Sequence, residues 1–133
     1  MLFNSTKRIE VTGKVRHARS FWRKFRGLMF ESGKKFDYAL VFHLGTESRA
    51  KASIHMLFVF FPICALFLDS KKRVVDKAFL KPFALNYTPG KKAAFVVEVP
   101  VEKFSAAEIG DFLEWWENCS VCAEKAKRTK PYE

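Results

Sequence analysis

At 133 residues, with 49% hydrophobic side chains and 15 Phe, the chain has single-domain length and ample material for one core. That composition excludes disordered, collagenous and disulfide-scaffold classes. The net charge of +10 is uneven: residues 1–35 hold ten Lys/Arg against Glu10 and Glu31, whereas residues 93–124 hold Lys103 alone against seven acids. Such asymmetry steers a basic end toward phosphates or an acidic partner, against the blander alternative of a solvated surface.

In chain order, MLFNSTKRIE has no apolar stretch ahead of its charges, so no export signal is expected. The chain is therefore expected to be cytoplasmic, with its three cysteines reduced. Ile9, Val11 and Val15 alternate around Gly13 and predict a strand or bent hairpin. In RSFWRKFRGLMF, Ser20 is a candidate N-cap, and Phe21, Phe25 and Leu28 share one helical face. A short amphipathic helix is predicted near residues 20–28, ended or weakened by Gly27. Residues 37–45, DYALVFHLG, read as a strand, and TESRAKA as a polar loop.

Residues 53–70 read SIHMLFVFFPICALFLDS, with no charge from Met56 to Leu68. The run falls short of the about 20 apolar residues of a helical membrane span, and Pro62 interrupts it. It is read instead as interior sheet, Ile54–Phe60 and Ile63–Leu68 being two extended pieces joined by a bend. DSKKR is a turn, VVDKAFL the returning strand of a hairpin, KPFALNYTPGKK a loop, and AAFVVEVP a strand closed by Pro100. Residues 101–109 fit one helical turn, and GDFLEWW a last strand with Phe112 and Trp115 shielded from water. The fold expected is mainly β (α+β at most): a compact, barrel-like or strongly coiled antiparallel or mixed sheet with one docked helix. Residues 1–117 form one domain on this reading, and 118–133 a frayed helical or disordered tail.

The pieces RGLMF, ALVF, FPICALFLDS, RVV, KPF, AAFVVEVP and IGDFLEW stand in one order across about residues 15–115. Together they resemble the domain of unknown function 192, also called uncharacterised protein family 0127. The resemblance implies a small, mainly β domain and no particular activity. Many bacterial members look exported; the lack of a leader here favours a cytoplasmic, archaeal-type member. Two departures stand out. Cys64 occupies a position where the family usually has Asp, and the Gly that usually follows the Glu-x-Pro stretch is missing from EVPVEKF.

No common catalytic motif is present: no G-x-S-x-G, phosphate loop, H-E-x-x-H or calcium loop. Cys119 and Cys122 form C-x-x-C, but no second pair or H-x3-H completes a zinc set, so no metal or cofactor is expected. In an extended SIHM, His55 faces away from Met56, at a surface or rim. Arg26, His55, Lys81 and Asp111 flank family-like apolar blocks and are the candidate residues for a cleft that holds an anionic group. An ion pair of Arg26 with Asp111, or a turn at Gly110–Asp111, is the structural alternative.

Two functions of different class follow. One is a non-catalytic binding module for a small anionic ligand, a peptide or a partner protein. The other is nucleic-acid binding through Arg16, Arg19, Arg23, Lys24 and Arg26, with the steep salt dependence of counterion release. An enzyme with an unfamiliar site remains a third.

Overall fold

A computed structural model describes residues 1–18, 34, 36–56, 59–84 and 86–116. Among the described residues eight strands run in chain order: β1 Leu2–Asn4, β2 Ile9–Thr12, β3 Val15–Ala18, β4 Ala39–Ser48, β5 Ile63–Leu68, β6 Val74–Leu80, β7 Ala93–Val99 and β8 Leu113–Trp115. A 3-10 helix, Val101–Ala106, follows β7. The strands form two sheets, a three-stranded one ordered β2-β1-β8 and a five-stranded one ordered β3-β4-β7-β5-β6. β3 and β4 are parallel; every other pairing of the larger sheet is antiparallel. The molecule is thus mainly β, as its strand-rich sequence requires. Its sheets are open, with β3 and β6 as edges of the larger one.

The larger sheet is covered on both faces, which explains the unbroken apolar run of β5, buried at all six positions. Side chains alternate across the pleat. Cys64, Leu66, Leu68, Val97 and Val99 pack with Leu2, Val11 and Leu113 of the small sheet. Ile63, Ala65, Phe67, Leu40, Phe42 and Val96 point the other way, toward Phe36, Tyr38, Ile54, Met56 and Val59. This second side, the loop face, carries the candidate site.

Several local expectations are revised. Residues 9–18 do not make a hairpin: β2 joins the small sheet and β3 the large one. Of the stretch expected as a strand at Ile54–Phe60, the described residues 54–56, 59 and 60 form none. They belong to a strap tied by a bridge of Ile54 with Tyr87 and by the Met56 N–H donating to Ala84 O (2.7 Å). Pro62 sits immediately before β5, where its missing N–H costs no ladder bond. Phe112 was expected to be shielded and is 44% exposed, because β8 begins only at Leu113 and pairs through a three-residue β1. The helix expected near residues 20–28 and the tail 118–133 lie outside the described residues. No described helix is long and apolar enough to cross a membrane.

Candidate functional site

Glu98 stands on β7, the middle strand of the large sheet, with Leu40 of β4 opposite it on one side and Ala65 of β5 on the other. The register places Arg16, Leu40, Glu98, Ala65 and Ala78 in one row across the loop face. Ala65 presents only a methyl group beside the carboxyl, and Ala78 lies one strand further on. Tyr38 and Phe42 flank Leu40, and Ile63 and Phe67 flank Ala65, so these four are Glu98's diagonal neighbours. Glu98 retains 5% exposure, and among the described residues its Oε2 has no hydrogen-bond partner. Burial drives its pKa from 4.5 up to about 8, with no charge among the described residues contributing. At neutral pH the carboxyl is mostly protonated. Arg16 lies two strands away, about 10 Å by strand spacing, and its exposed guanidinium stacks 4.2 Å from the centre of the Tyr38 ring.

A strap formed by the described residues of 49–56, 59–62, 81–84 and 86–92 lies over this face. The Ile54 N–H donates to Tyr87 O (2.9 Å), the Tyr87 N–H to Ile54 O (2.8 Å) and the Phe83 N–H to Met56 O (3.1 Å). His55 is half-buried on the strap, and Lys81 is exposed at the turn that meets it. Phe60 (59% exposed) and Phe83 (45%) meet edge to face, ring centroids 5.2 Å apart. Phe83 holds φ 60°, a left-handed conformation unusual for a bulky residue. The outer surface of the strap therefore carries an aromatic pair at a strained turn.

Asp111 belongs elsewhere. Its carboxylate accepts from Asn4 Nδ2 (2.7 Å) and from the Glu108 N–H (2.9 Å), with Lys7 Nζ at 3.9 Å. Burial pushes its pKa up, but the Asn4 and Glu108 bonds and the nearby lysines outweigh this and hold it below the usual value. Gly110, at φ 99°, makes the turn that aims it inward. Lys77 completes the same corner: its Nζ donates to Phe104 O (2.5 Å), Ala107 O (2.9 Å) and Glu108 Oε1 (3.2 Å), and lies 3.9 Å over the Phe104 ring. This corner ties β1, β6, the 3-10 helix and the approach to β8. Asp111 O is bonded to the Val74 N–H at the start of β6, whereas Lys81 follows its end, about 20 Å away at strand rise.

Of the four residues singled out for a cleft, His55 and Lys81 therefore share the strap region. Asp111 sits at the opposite end of β6, and Arg26 lies outside the described residues. Of the basic set, Arg16 is described and exposed, and Arg19, Arg23 and Lys24 lie outside. Cys64, where the family-like pattern usually has Asp, is fully buried on the small-sheet face; burial pushes its thiol up to about 11. Lys77 pulls it down and Glu108 pushes it up by smaller amounts. His17 Nδ1 and His43 Nε2 lie 2.8 Å apart on that side, beside Phe95 and Trp115. Among the described residues no group of three His, Cys, Asp or Glu side chains is placed to hold a metal ion.

Glu98 and Lys77 were not singled out from sequence. For Glu98 a signal existed: Phe95, Val97 and Val99 on one phase of β7 and Ala94 and Val96 on the other mark a strand buried on both faces. A glutamate in such a strand has no solvent side to turn to.

A family model described as "Uncharacterized ACR" (DUF192) matches residues 2–115. A UPF0127 protein of Thermococcus sibiricus is 43% identical over 117 residues, 86% of this chain and 74% of that protein. One from Pyrococcus horikoshii is 42% identical over 118 residues, 87% of this chain and 99% of that protein. Among solved structures, a protein of unknown function from Novosphingobium aromaticivorans superposes with TM-score 0.67 at 20% identity, covering 76% of this chain and 74% of that one. A protein of Sinorhizobium meliloti described as a "putative transcription regulator" gives TM-score 0.68 at 20% identity, covering 75% and 79%. At such identities the structural likeness concerns the fold alone.

Proposed function

The chain belongs to the DUF192 family, and from that premise we propose that it is a non-catalytic binding module that takes a small ligand on the loop face of its large sheet. The observation that carries this reading is Glu98: a carboxyl buried at the middle of an apolar sheet face with Oε2 unbonded. A buried polar group without a partner costs roughly 1–3 kcal/mol. Ligand contact would offset that cost. Among the described residues no acid, base or nucleophile is hydrogen-bonded to Glu98, so the group is suited to holding a ligand rather than to relaying a proton. His55, Lys81 and the Phe60–Phe83 pair border the strap over this face and are its proposed rim.

The test is an amide NMR screen with a fragment set of mixed charge. Binding fragments are expected to shift the signals of Leu40, Ala65, Ala78 and Glu98 together. A set that leaves all four unmoved removes the support for this reading.

A second reading is nucleic-acid binding through Arg16, Arg19, Arg23 and Lys24. It is favoured by the exposed Arg16 guanidinium stacked on Tyr38, the kind of cationic platform single strands use. Fluorescence anisotropy with single-stranded RNA and DNA at low salt decides it. The reading predicts a complex that weakens steeply with added salt, and no complex at low salt disposes of it.

A further inference from the structure

Deepening the reading above and resting on it, we propose that the ligand presents a cationic nitrogen head group, an amine or guanidine, which pairs with the Glu98 carboxylate on the loop face. Three observations point to that chemistry. Glu98 is the one ionisable side chain of its row apart from Arg16, and Arg16 is turned onto Tyr38. An anion at this point would meet carboxyl oxygens, with the row's one cation, Arg16, two strands away and turned onto Tyr38. A cation would meet an acceptor at Oε2 that the fold leaves unused.

The third observation is aromatic. Phe42 and Phe67 are diagonal neighbours of Glu98, and Tyr38, whose ring already carries the Arg16 guanidinium at 4.2 Å, lies edge-on to Phe36 with centroids 5.1 Å apart. Ring faces attract cations, most strongly where water is excluded. A desolvated carboxylate bordered by aromatic rings is complementary to a guanidinium or ammonium attached to an apolar body. At pH 7 the pairing proceeds with release of the Glu98 proton to solvent, so ligand and proton compete for the same oxygens.

Other titratable or charged groups described on the face or on the segments packed over it are Arg16, Tyr38, Arg49, Lys51, His55, Asp76, Lys81, Tyr87, Lys91 and Lys92. Asp76 is occupied: its Oδ2 accepts from Tyr87 OH (2.8 Å) and the Gly90 N–H (3.0 Å). The Glu98→Gln variant separates their contributions from that of Glu98, because any pH dependence they cause persists in it.

The experiment titrates wild type and Glu98→Gln by amide NMR with benzylguanidinium, benzyl alcohol and phenylacetate at pH 7, 8 and 9. Native-like spectra of both proteins establish that each is folded. The expected result is binding of benzylguanidinium to wild type, about ten-fold tighter at pH 9 than at pH 7, as ionisation of a group with its midpoint near 8 requires. Glu98→Gln should lose at least ten-fold in affinity and show no such rise. Phenylacetate binding at these amides without benzylguanidinium binding would overturn the cationic class and leave the binding module standing. Equal affinity of the two proteins for benzylguanidinium would also overturn it. If no probe moves these amides, and the mixed fragment set does not either, both proposals fall.

Discussion

Glu98 gives up its hydration on β7 and gains no bond at Oε2 in return, and this asymmetry has a measurable sign. Its folded pKa, about 8, lies above the ordinary 4.5, so the folded chain binds a proton that the unfolded chain has already released. Below pH 4.5 the group leaves stability unaffected; between 4.5 and about 8 stability falls as pH rises. Relative to Glu98→Gln, wild type should lose up to about 5 kcal/mol across that window, at ~1.4 kcal/mol per pH unit. Urea denaturation of both proteins at pH 4, 6, 8 and 9 measures it; a gap that does not grow with pH would show the carboxyl to be hydrated. Asp111 behaves oppositely. Held below 3.8 chiefly by Asn4 and the Glu108 N–H against the effect of burial, it contributes stability above that value which is lost as pH falls. Cys64 is inert for a related reason: it is fully buried, and its thiol is raised to about 11. In a Cys119→Ser/Cys122→Ser background, a thiol reagent at pH 8 should label Cys64 only on unfolding, and rapid labelling of the native protein would contradict its placement.

At the scale of elements, the corner built by Lys77 and Asp111 joins segments far apart in sequence. Lys77 Nζ takes the last carbonyls around the 3-10 helix, and Asn4 bridges Ala106 O and Asp111. Lys77→Met keeps the stem's packing and deprives these carbonyls of their donor. A loss of roughly 1–3 kcal/mol is expected in urea denaturation, and no loss would mean that water replaces the lysine without cost. The Gly110–Asp111 turn was legible in the sequence; the bonds that bring Lys77 and Asn4 to it were not, because those partners lie 27 to 107 residues apart and no local pattern announces a tertiary bond. The same is true of β1, three residues whose pairing with β8 closes the whole chain. Strands carried by local pattern were readable: β4, the β5–β6 hairpin with its DSKKR turn, and β7. The strap at 54–60 was misread as a strand since an apolar run alone does not separate a buried ladder from a buried crossing segment.

For the whole molecule, both ends of the described chain meet: the Met1 amine donates to Trp116 O (2.7 Å) and the Trp116 N–H to Met1 O (3.1 Å). We propose that residues 1–117 hold the fold without residues 118–133. A chain ending at Glu117 should melt within a few degrees of the full one, and a large drop would place essential packing beyond that point. The two-faced burial of the large sheet was foreshadowed by the doubly apolar runs of β5 and β7, and it is what forces Glu98 indoors. The site was less legible than the fold because it depends on which strand became central, a matter of pairing between distant segments. The most direct measurement is a carbon-13 NMR titration of the glutamate side-chain carboxyls in wild type and Glu98→Gln. One resonance, missing from the variant, should titrate near pH 8 while the others titrate in the ordinary range. If every glutamate of the wild type titrates around 4.5, Glu98 is not a buried carboxyl without a partner, and the binding face built around it is contradicted.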